Sequence, residues 1–287
     1  MRWRGGRQST NVDDRRGVSG GQVAVGGGIL GVIALVLNFL LGGNVDTTQL
    51  PTGLPGAGGR ELTPQEQAAE NEKADFAKTV LAYTEDVWNQ VFQQAGQDYA
   101  EPRLVLFRDG VQSGCGAASA QSGPFYCPAD QQVYIDLSFY DELQQRFGAP
   151  GDFAMAYVIS HEVGHHIQTL MGTSEKMARL RSQVSQEEYN QYSVRMELQA
   201  DFLAGVWAHY MKGKTINGHP VLEEGDIEEA LNAAEAIGDD RLQRQSTGYV
   251  NPESFTHGTS AQRVRWFRKG YETGDLNQGD TFNTPNL

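Results

Sequence analysis

The segment HEVGHH at residues 161–166 holds the side chains best suited to metal chemistry. His161 and His165 project from one face of a helix, about one turn apart, so their two imidazoles can bind one Zn²⁺. Glu162 follows the first histidine, and its carboxylate can take a proton from a zinc-bound water as that water attacks a carbonyl. The pattern predicts zinc-dependent hydrolysis, with His161 and His165 as metal ligands and Glu162 as general base.

A catalytic zinc site needs a third protein ligand and an open fourth position. Residues 197–205 read ELQADFLAG, so Glu197 and Asp201 share one helical face among apolar neighbours. Carboxylates in such surroundings need partners. The pattern therefore favours Glu197 as the third ligand and Asp201 as the acceptor for the free N–H of a ligating histidine. The alternative ligands are three less favourably placed histidines: His166, His209 and His219.

The elements that must position these side chains follow from local patterns along the chain. Segments rich in β-forming residues predict strands at residues 103–108 and 132–137. Few strands followed by many helices indicate an α+β fold, mostly helical with a small sheet. Helical periodicity and start signals predict helices at residues 64–95, 140–147, 152–171, 186–211, 224–237 and 260–273.

The beginning of the chain predicts a membrane anchor. Residues 23–41 are apolar and uncharged, and as a helix they would span about 29 Å, close to the hydrocarbon core of a bilayer. Residues 1–22 carry a charge of +3, and the rest of the chain sums to −16. The positive-inside rule makes residues 1–22 a cytoplasmic tail on a single-pass inner-membrane protein with a periplasmic catalytic domain. A buried core helix and a cleaved signal peptide fit less well, because the run is long for both.

The remaining organisation follows from composition. Residues 42–61 are rich in Gly and Pro and predict a linker, which leaves residues 62–287 as the catalytic domain. Hydrophobic residues make up 39% of the chain, enough for a sizeable core. The net charge of −13 argues against a nucleic-acid binder, which needs a basic face. The sequence indicates no oligomeric state.

The chain contains two cysteines, Cys115 and Cys127, between the two predicted strands. They are too few for a cysteine-rich zinc module. In the cytoplasm they would be free thiols or weak metal ligands, whereas outside a membrane they would form a disulfide worth about 3 kcal/mol. The predicted anchor therefore favours a disulfide.

Four segments resemble the neutral zinc metallopeptidase family of bacterial membrane-anchored proteins: residues 113–143, 151–168, 197–205 and 254–263. The resemblance covers most of the chain after Leu62, plus the short N-terminal anchor. It implies a zincin-like fold, a Zn²⁺ cofactor and peptidase activity on a peptide or protein substrate. As in zincins generally, an edge strand at residues 132–137 would hold the extended substrate.

The order HExxH, Glu-x-x-x-Asp and Thr-His…Arg is also similar to membrane zinc proteases of the CAAX-prenyl and heat-shock type. In those proteins the glutamate is the third ligand, which supports Glu197. Composition alone would make His257 and Arg263 surface residues, but the resemblance implies catalytic roles. His257 would donate a hydrogen bond to the developing oxyanion. Arg263 would orient His257, pair with Asp201 or reach the oxyanion itself.

Two rival functions remain open. One is a non-catalytic membrane-anchored binding or assembly protein with a structural zinc site, for which Glu162 would serve no purpose. The other is a deformylase-like zinc hydrolase, in which Cys115 would be the third ligand. Pairing of Cys115 with Cys127 argues against that second rival.

Overall fold

The computed structural model describes residues 1–17 and 62–287, and these parts have the α+β class expected from the sequence. The strands are β1 (Val12–Asp14), β2 (Arg103–Phe107), β3 (Gly110–Ser113), β4 (Gly116–Ser119), β5 (Phe125–Cys127), β6 (Gln132–Asp136), β7 (Thr215–Ile216) and β8 (His219–Pro220). The α-helices are α1 (Pro64–Gln94), α2 (Phe139–Gln145), α3 (Asp152–Leu170), α4 (Thr173–Leu180), α5 (Gln186–Met211), α6 (Asp226–Ala236), α7 (Asp239–Thr247) and α8 (Ser260–Thr273).

The largest sheet in these residues has the strand order β1-β2-β6-β5. Strands β1, β2 and β6 are parallel, and β5 runs antiparallel to β6, with Cys127 opposite Gln132. The expectation that residues 132–137 form an edge strand is therefore wrong, because β5 covers that side of β6. Strand β5 has three residues and lies close to the Gly- and Ser-rich segment, so its alternation was too short to be recognised.

The N-terminal arm, residues 1–17, packs against the part of the chain after residue 62. Val12 in β1 pairs with Leu104 in β2, and the Arg7 guanidinium donates to Glu85 at 2.8 Å. The predicted topology puts residues 1–22 and the domain on opposite sides of a membrane, whereas in the structure residues 12–14 pair with β2 of that domain. The predicted single-pass inner-membrane localisation is therefore wrong.

The described helices do not have the combination of length and hydropathy that a membrane span requires. Across residues 1–17 and 62–287, none is both long and apolar enough to cross a bilayer. This corrects the predicted fold class, which placed the domain on a transmembrane helix. The predicted anchor at residues 23–41 and linker at residues 42–61 lie outside the described residues.

The core is built around α3, which is buried on nearly all sides between α1, α5 and α6. Helix α5 approaches α3 closely at Gly164, where a Cβ atom would lie 3.0 Å from the Ala200 carbonyl oxygen. On its other side α5 meets α8 through Gly205 and Gly270, since a Cβ on either would overlap the backbone of the facing helix. These glycines bring the chemical side chains of α3, α5 and α8 into one layer.

The two cysteines form the expected disulfide, Cys115–Cys127. The bond joins the turn between β3 and β4 to the edge strand β5. Because both sulfurs are bonded, Cys115 is not a metal ligand in this structure, which removes the observation behind the deformylase-like alternative.

Candidate metal centre

The three predicted ligands lie together between α3 and α5. The ligand atoms of His161, His165 and Glu197 are all within 4.8 Å of one another. Glu197 Oε2 is 3.1 Å from His161 Nε2 and 3.5 Å from His165 Nε2. The two imidazoles are nearly perpendicular, with ring centroids 4.8 Å apart. The close approach at Gly164 is what allows a carboxylate on α5 to reach both rings.

Each ligand histidine has its second nitrogen held by a buried acceptor. His161 Nδ1 is 2.8 Å from Asp201 Oδ1, as the sequence predicted for Asp201. His165 Nδ1 is 2.9 Å from Gln168 Oε1, and the Gln168 amide donates to the Met196 carbonyl at 2.7 Å. Both Nε2 atoms are thereby directed toward Glu197, which is the orientation a ligating histidine requires.

Asp201 is itself held by two buried partners. Arg263 binds both of its oxygens, with Nε 2.8 Å from Oδ2 and Nη2 3.0 Å from Oδ1. The Tyr157 hydroxyl donates to Oδ1 at 2.6 Å. Of the three positions expected for Arg263, the structure shows the pairing with Asp201. At 2% exposure Arg263 is enclosed, and its Nη2 also lies 3.2 Å from the Tyr157 hydroxyl and 3.5 Å from His161 Nδ1.

Sequence reasoning missed Gln168 and Tyr157. Gln168 lies three residues after His165 and Tyr157 lies four residues before His161, so both share a helical face with a ligand. A polar side chain three or four residues from a candidate ligand, in a helix whose other residues are mostly apolar, is the sequence signal that would have identified them.

The charges within the cluster stabilise the ionised carboxylates. Burial raises the pKa of Asp201, but Arg263 and His161 outweigh it and lower that pKa to about 2. Burial likewise opposes ionisation of Glu197, and the two histidines hold its pKa well below the usual range. Burial lowers the pKa of His161, and the charge and hydrogen bonds of Asp201 and Glu197 reverse this, raising it to about 10. The site therefore concentrates negative charge around the imidazole nitrogens.

This donor set fits a zinc ion. Two imidazole nitrogens and one carboxylate oxygen match the ligand class of catalytic zinc sites that keep a fourth position for water or substrate. Among the described residues, Glu197 forms ion pairs only with His161 and His165, so no lysine or arginine neutralises it there. A divalent cation is the natural counter-charge for such a group.

Glu162 lies beside the first ligand on α3 and is 8% exposed. Within the part of the chain that the structure describes, its carboxylate makes no hydrogen bond or ion pair. It differs in this from Asp201, both of whose oxygens are bonded, and from Glu197, whose Oε2 contacts two imidazoles. This carboxylate is therefore available to a molecule bound beside the candidate ligands.

His257 lies in the loop before α8, outside the ligand cluster. Its side chain is 52% exposed, and its Nδ1 faces Asp239 Oδ1 at 3.3 Å. Burial lowers the pKa of His257, but the Asp239 hydrogen bond and the nearby charge of Glu197 raise it overall. His257 is thus coupled electrostatically to the site without being a ligand in this structure.

The three alternative histidines lie elsewhere. His166 is hydrogen-bonded to the Ala100 carbonyl at 2.6 Å and to the Tyr126 hydroxyl at 3.1 Å. His209 bonds the Tyr271 carbonyl at 2.8 Å, and His219 is exposed in β8. None of them belongs to the described group of metal-ligating atoms.

Comparisons with known proteins identify the family of the chain. The family described as "Putative neutral zinc metallopeptidase" matches residues 1–282. The Escherichia coli K12 protein named "Uncharacterized protein YpfJ" is 51% identical over 289 residues, covering 98% of this chain and 99% of that protein. "Uncharacterized protein Mb2605" of Mycobacterium bovis and "Uncharacterized protein Rv2575" of Mycobacterium tuberculosis are each 40% identical over 260 residues, covering 88% of this chain and 86% of each relative. No solved structure matches the chain.

The family match spans nearly the whole sequence and includes every residue of the cluster, and it confirms the resemblance seen in the sequence. The family implies a zinc-dependent hydrolase acting on peptides or proteins. The chain therefore belongs to the family described as "Putative neutral zinc metallopeptidase".

Proposed function

We propose that the protein is a zinc-dependent peptidase that hydrolyses peptide bonds, with His161, His165 and Glu197 as the zinc ligands and Glu162 as the general base. One observation carries the proposal. The carboxylate of Glu162 is unengaged beside three engaged ligand groups, and a purely structural zinc site has no use for it.

Each residue has a distinct task in the reaction. Zinc, when bound, supplies Lewis-acid activation of water and of the scissile carbonyl. Glu162 takes a proton from the attacking water and passes it to the leaving amine. His257 donates a hydrogen bond to the oxygen on which negative charge develops. Asp201 and Arg263 keep His161 in the tautomer that leaves Nε2 available as a ligand.

The edge strand β5 is a suitable platform for the substrate. It is the terminal strand of the described sheet and contacts α3. Tyr126 in β5 is hydrogen-bonded to His166, the residue after the ligand His165. An extended peptide that pairs with β5 would therefore lie along the helix that carries the zinc ligands.

The test compares wild type with Glu162→Gln, using Glu187→Gln as a matched control on the exposed surface of α5. We expect Glu162→Gln to retain zinc and fold but to lose hydrolysis of a mixed peptide library by at least about 10²-fold. Glu187→Gln should keep both. Equal activity of Glu162→Gln and wild type would indicate a structural zinc, and zinc-free wild type purified without chelator would refute the site itself.

A further inference from the structure

Asp239 is the first residue of α7, and its carboxylate accepts hydrogen bonds from the loop that contains His257. Its Oδ2 accepts the backbone N–H groups of Thr256 at 2.7 Å, His257 at 2.7 Å and Gly258 at 3.0 Å. Its Oδ1 lies 3.3 Å from His257 Nδ1, which also lies 3.0 Å from the Thr256 hydroxyl. The Asp239 backbone also donates to the Gly258 carbonyl at 2.9 Å. Asp239 thus fixes the backbone of His257 and supplies the charged partner of its ring, beside the Thr256 hydroxyl.

The same loop is seated on α5 next to a metal ligand. Gly258 has φ +91°, and a Cβ atom there would lie 3.1 Å from Val194 and 3.4 Å from Leu198. Leu198 directly follows Glu197, so the loop contacts the ligand-bearing turn of α5. Only a glycine combines this backbone conformation with this close approach without strain. The position of His257 relative to the metal centre is therefore set by packing.

The orientation of the His257 ring determines what its second nitrogen can do. The Asp239 carboxylate can only accept, and the Thr256 hydroxyl can accept as well, so a neutral ring that bonds Asp239 carries its proton on Nδ1 and its Nε2 can only accept. An imidazolium can donate from Nε2, and the anionic partner at Nδ1 stabilises that form. Among the described residues, Nε2 has no hydrogen-bond partner, and the ring is half exposed.

We propose that Asp239 is a positioning residue that holds His257 with Nε2 directed at the carbonyl oxygen of the substrate. The inference rests on the proposed function through the role given to His257. The next residue illustrates the specificity of the arrangement. Asp240 accepts from the Ser260 backbone N–H at 2.8 Å and so supports the start of α8, not the His257 ring.

The kinetic test compares Asp239→Asn, His257→Ala and the double variant as zinc-loaded proteins. The amide oxygen of asparagine can still accept the three backbone N–H groups, so the loop should persist while the charge is lost. We expect Asp239→Asn to lower kcat about tenfold with little change in KM. The double variant should be no slower than His257→Ala, because Asp239 acts through His257. Unchanged kcat in Asp239→Asn, or multiplicative losses in the double variant, would overturn the proposal.

Asp136→Asn is the matched control for these kinetics. Asp136 is a buried carboxylate that accepts the Asp109 and Ser138 backbone N–H groups at 2.7 and 2.8 Å. It therefore fixes a loop in the same way, but it has no contact with His257. Its activity per folded molecule should stay within about twofold of wild type, and an equal loss in both variants would overturn the proposal.

A second readout does not depend on catalysis. Nitrogen-15 NMR of the His257 ring in the zinc-loaded protein should show Nδ1–H as the neutral tautomer in wild type. Asp239→Asn should shift it to Nε2–H and lower the titration midpoint, because the charged partner is lost. Identical tautomer and midpoint in both proteins would overturn the inference. If wild type hydrolyses no peptide, the proposed function fails, and this comparison alone decides whether Asp239 holds the ring.

Discussion

Helix α3 carries two clusters of potential metal-binding groups, and they differ in what neutralises them. At its N-terminal end, Asp152 lies with Asp226 and Glu229 from α6. About 14 Å further along the helix, His161 and His165 lie with Glu197. In both clusters the ligand atoms approach within 4.8 Å of one another. Distance alone does not distinguish them.

The two clusters differ in the groups that bind their carboxylates. The Met1 ammonium donates to Asp226 at 2.9 Å and also to Asp152, and Glu229 accepts the Phe153 N–H at 3.0 Å. The protein itself thus supplies a cation to the acidic cluster, and these contacts help to fix the start of α3. Glu197, in contrast, meets only imidazoles among the described residues. The lesson is that two imidazoles whose Nδ1 atoms are held, and whose Nε2 atoms both face one carboxylate, distinguish a metal site from a cluster of acids of the same spacing.

The largest expected effect separates the two clusters by metal content. His165→Ala should eliminate bound zinc, because two remaining protein ligands do not hold the ion tightly. Glu229→Gln should leave it unchanged, since the amide oxygen can still accept the Phe153 N–H. Elemental analysis after dialysis measures both. If zinc remained bound in His165→Ala but was lost in Glu229→Gln, the metal would lie at the N-terminal end of α3, and this interpretation would be wrong.

The next largest effect is on stability, and it concerns the two buried ion pairs in which Arg263 and the Met1 ammonium are the cations. Arg263 and Asp201 are both almost fully buried. Arg263→Ala would leave a buried carboxylate without its main partner and should cost about 3–5 kcal/mol of unfolding free energy. Asp226→Asn removes one of the carboxylates that bind the Met1 ammonium and should cost less, about 1–3 kcal/mol. Chemical denaturation at pH 7 measures both, and equal losses would contradict the comparison.

The pH dependence of the Arg263 effect provides a further check. The pKa of Asp201 is lowered to about 2 despite its burial, below the ~3.9 of an unfolded chain. The contribution of the pair is therefore complete above about pH 4 and is lost as the pH falls through about 2. The difference in stability between wild type and Arg263→Ala should shrink over that interval. A difference independent of pH would mean that packing, not charge, is responsible.

The sequence predicted the parts of the site that depend on local spacing. Helix α5 begins and ends where its periodicity indicated, and α3 does so to within one residue, so the register of His161, His165, Glu197 and Asp201 was predictable. Their meeting follows from the apolar faces and from Gly164. The sequence allowed three partners for Arg263: His257, Asp201 and the oxyanion. It could not choose between them, because the spacing of a loop and a helix turn does not determine where a long side chain points.

Elements defined by remote partners were not predictable. Strand β1 reads VDD and has no alternation of its own, and its identity as a strand depends on β2, which lies far along the chain. The arginines of the N-terminal arm indicated a cytoplasmic tail, yet Arg7 pairs with Glu85 and Asp86 on α1. Asp239 likewise acquires its role from a loop eighteen residues later. Charge and composition describe a segment, but they do not identify what it packs against.

The smallest expected effect compares the supports of the two ligand histidines. His161 is backed by a carboxylate with its own arginine, whereas His165 is backed by the neutral amide of Gln168. Gln168→Met should keep the volume but leave His165 Nδ1 without an acceptor, weakening zinc binding about tenfold.

Competition with a chromophoric chelator measures this loss, and Gln199→Met is the control. Gln199 accepts from the Gln168 amide at 3.0 Å but does not contact His165, so its removal should change zinc affinity by less than about twofold. Equal losses in the two variants would mean that Gln168 acts by tying α3 to α5. A loss confined to Gln168→Met would show that even the neutral support orients its ligand. The larger effect expected for Asp201→Asn, up to about 100-fold, would then measure what the charge adds.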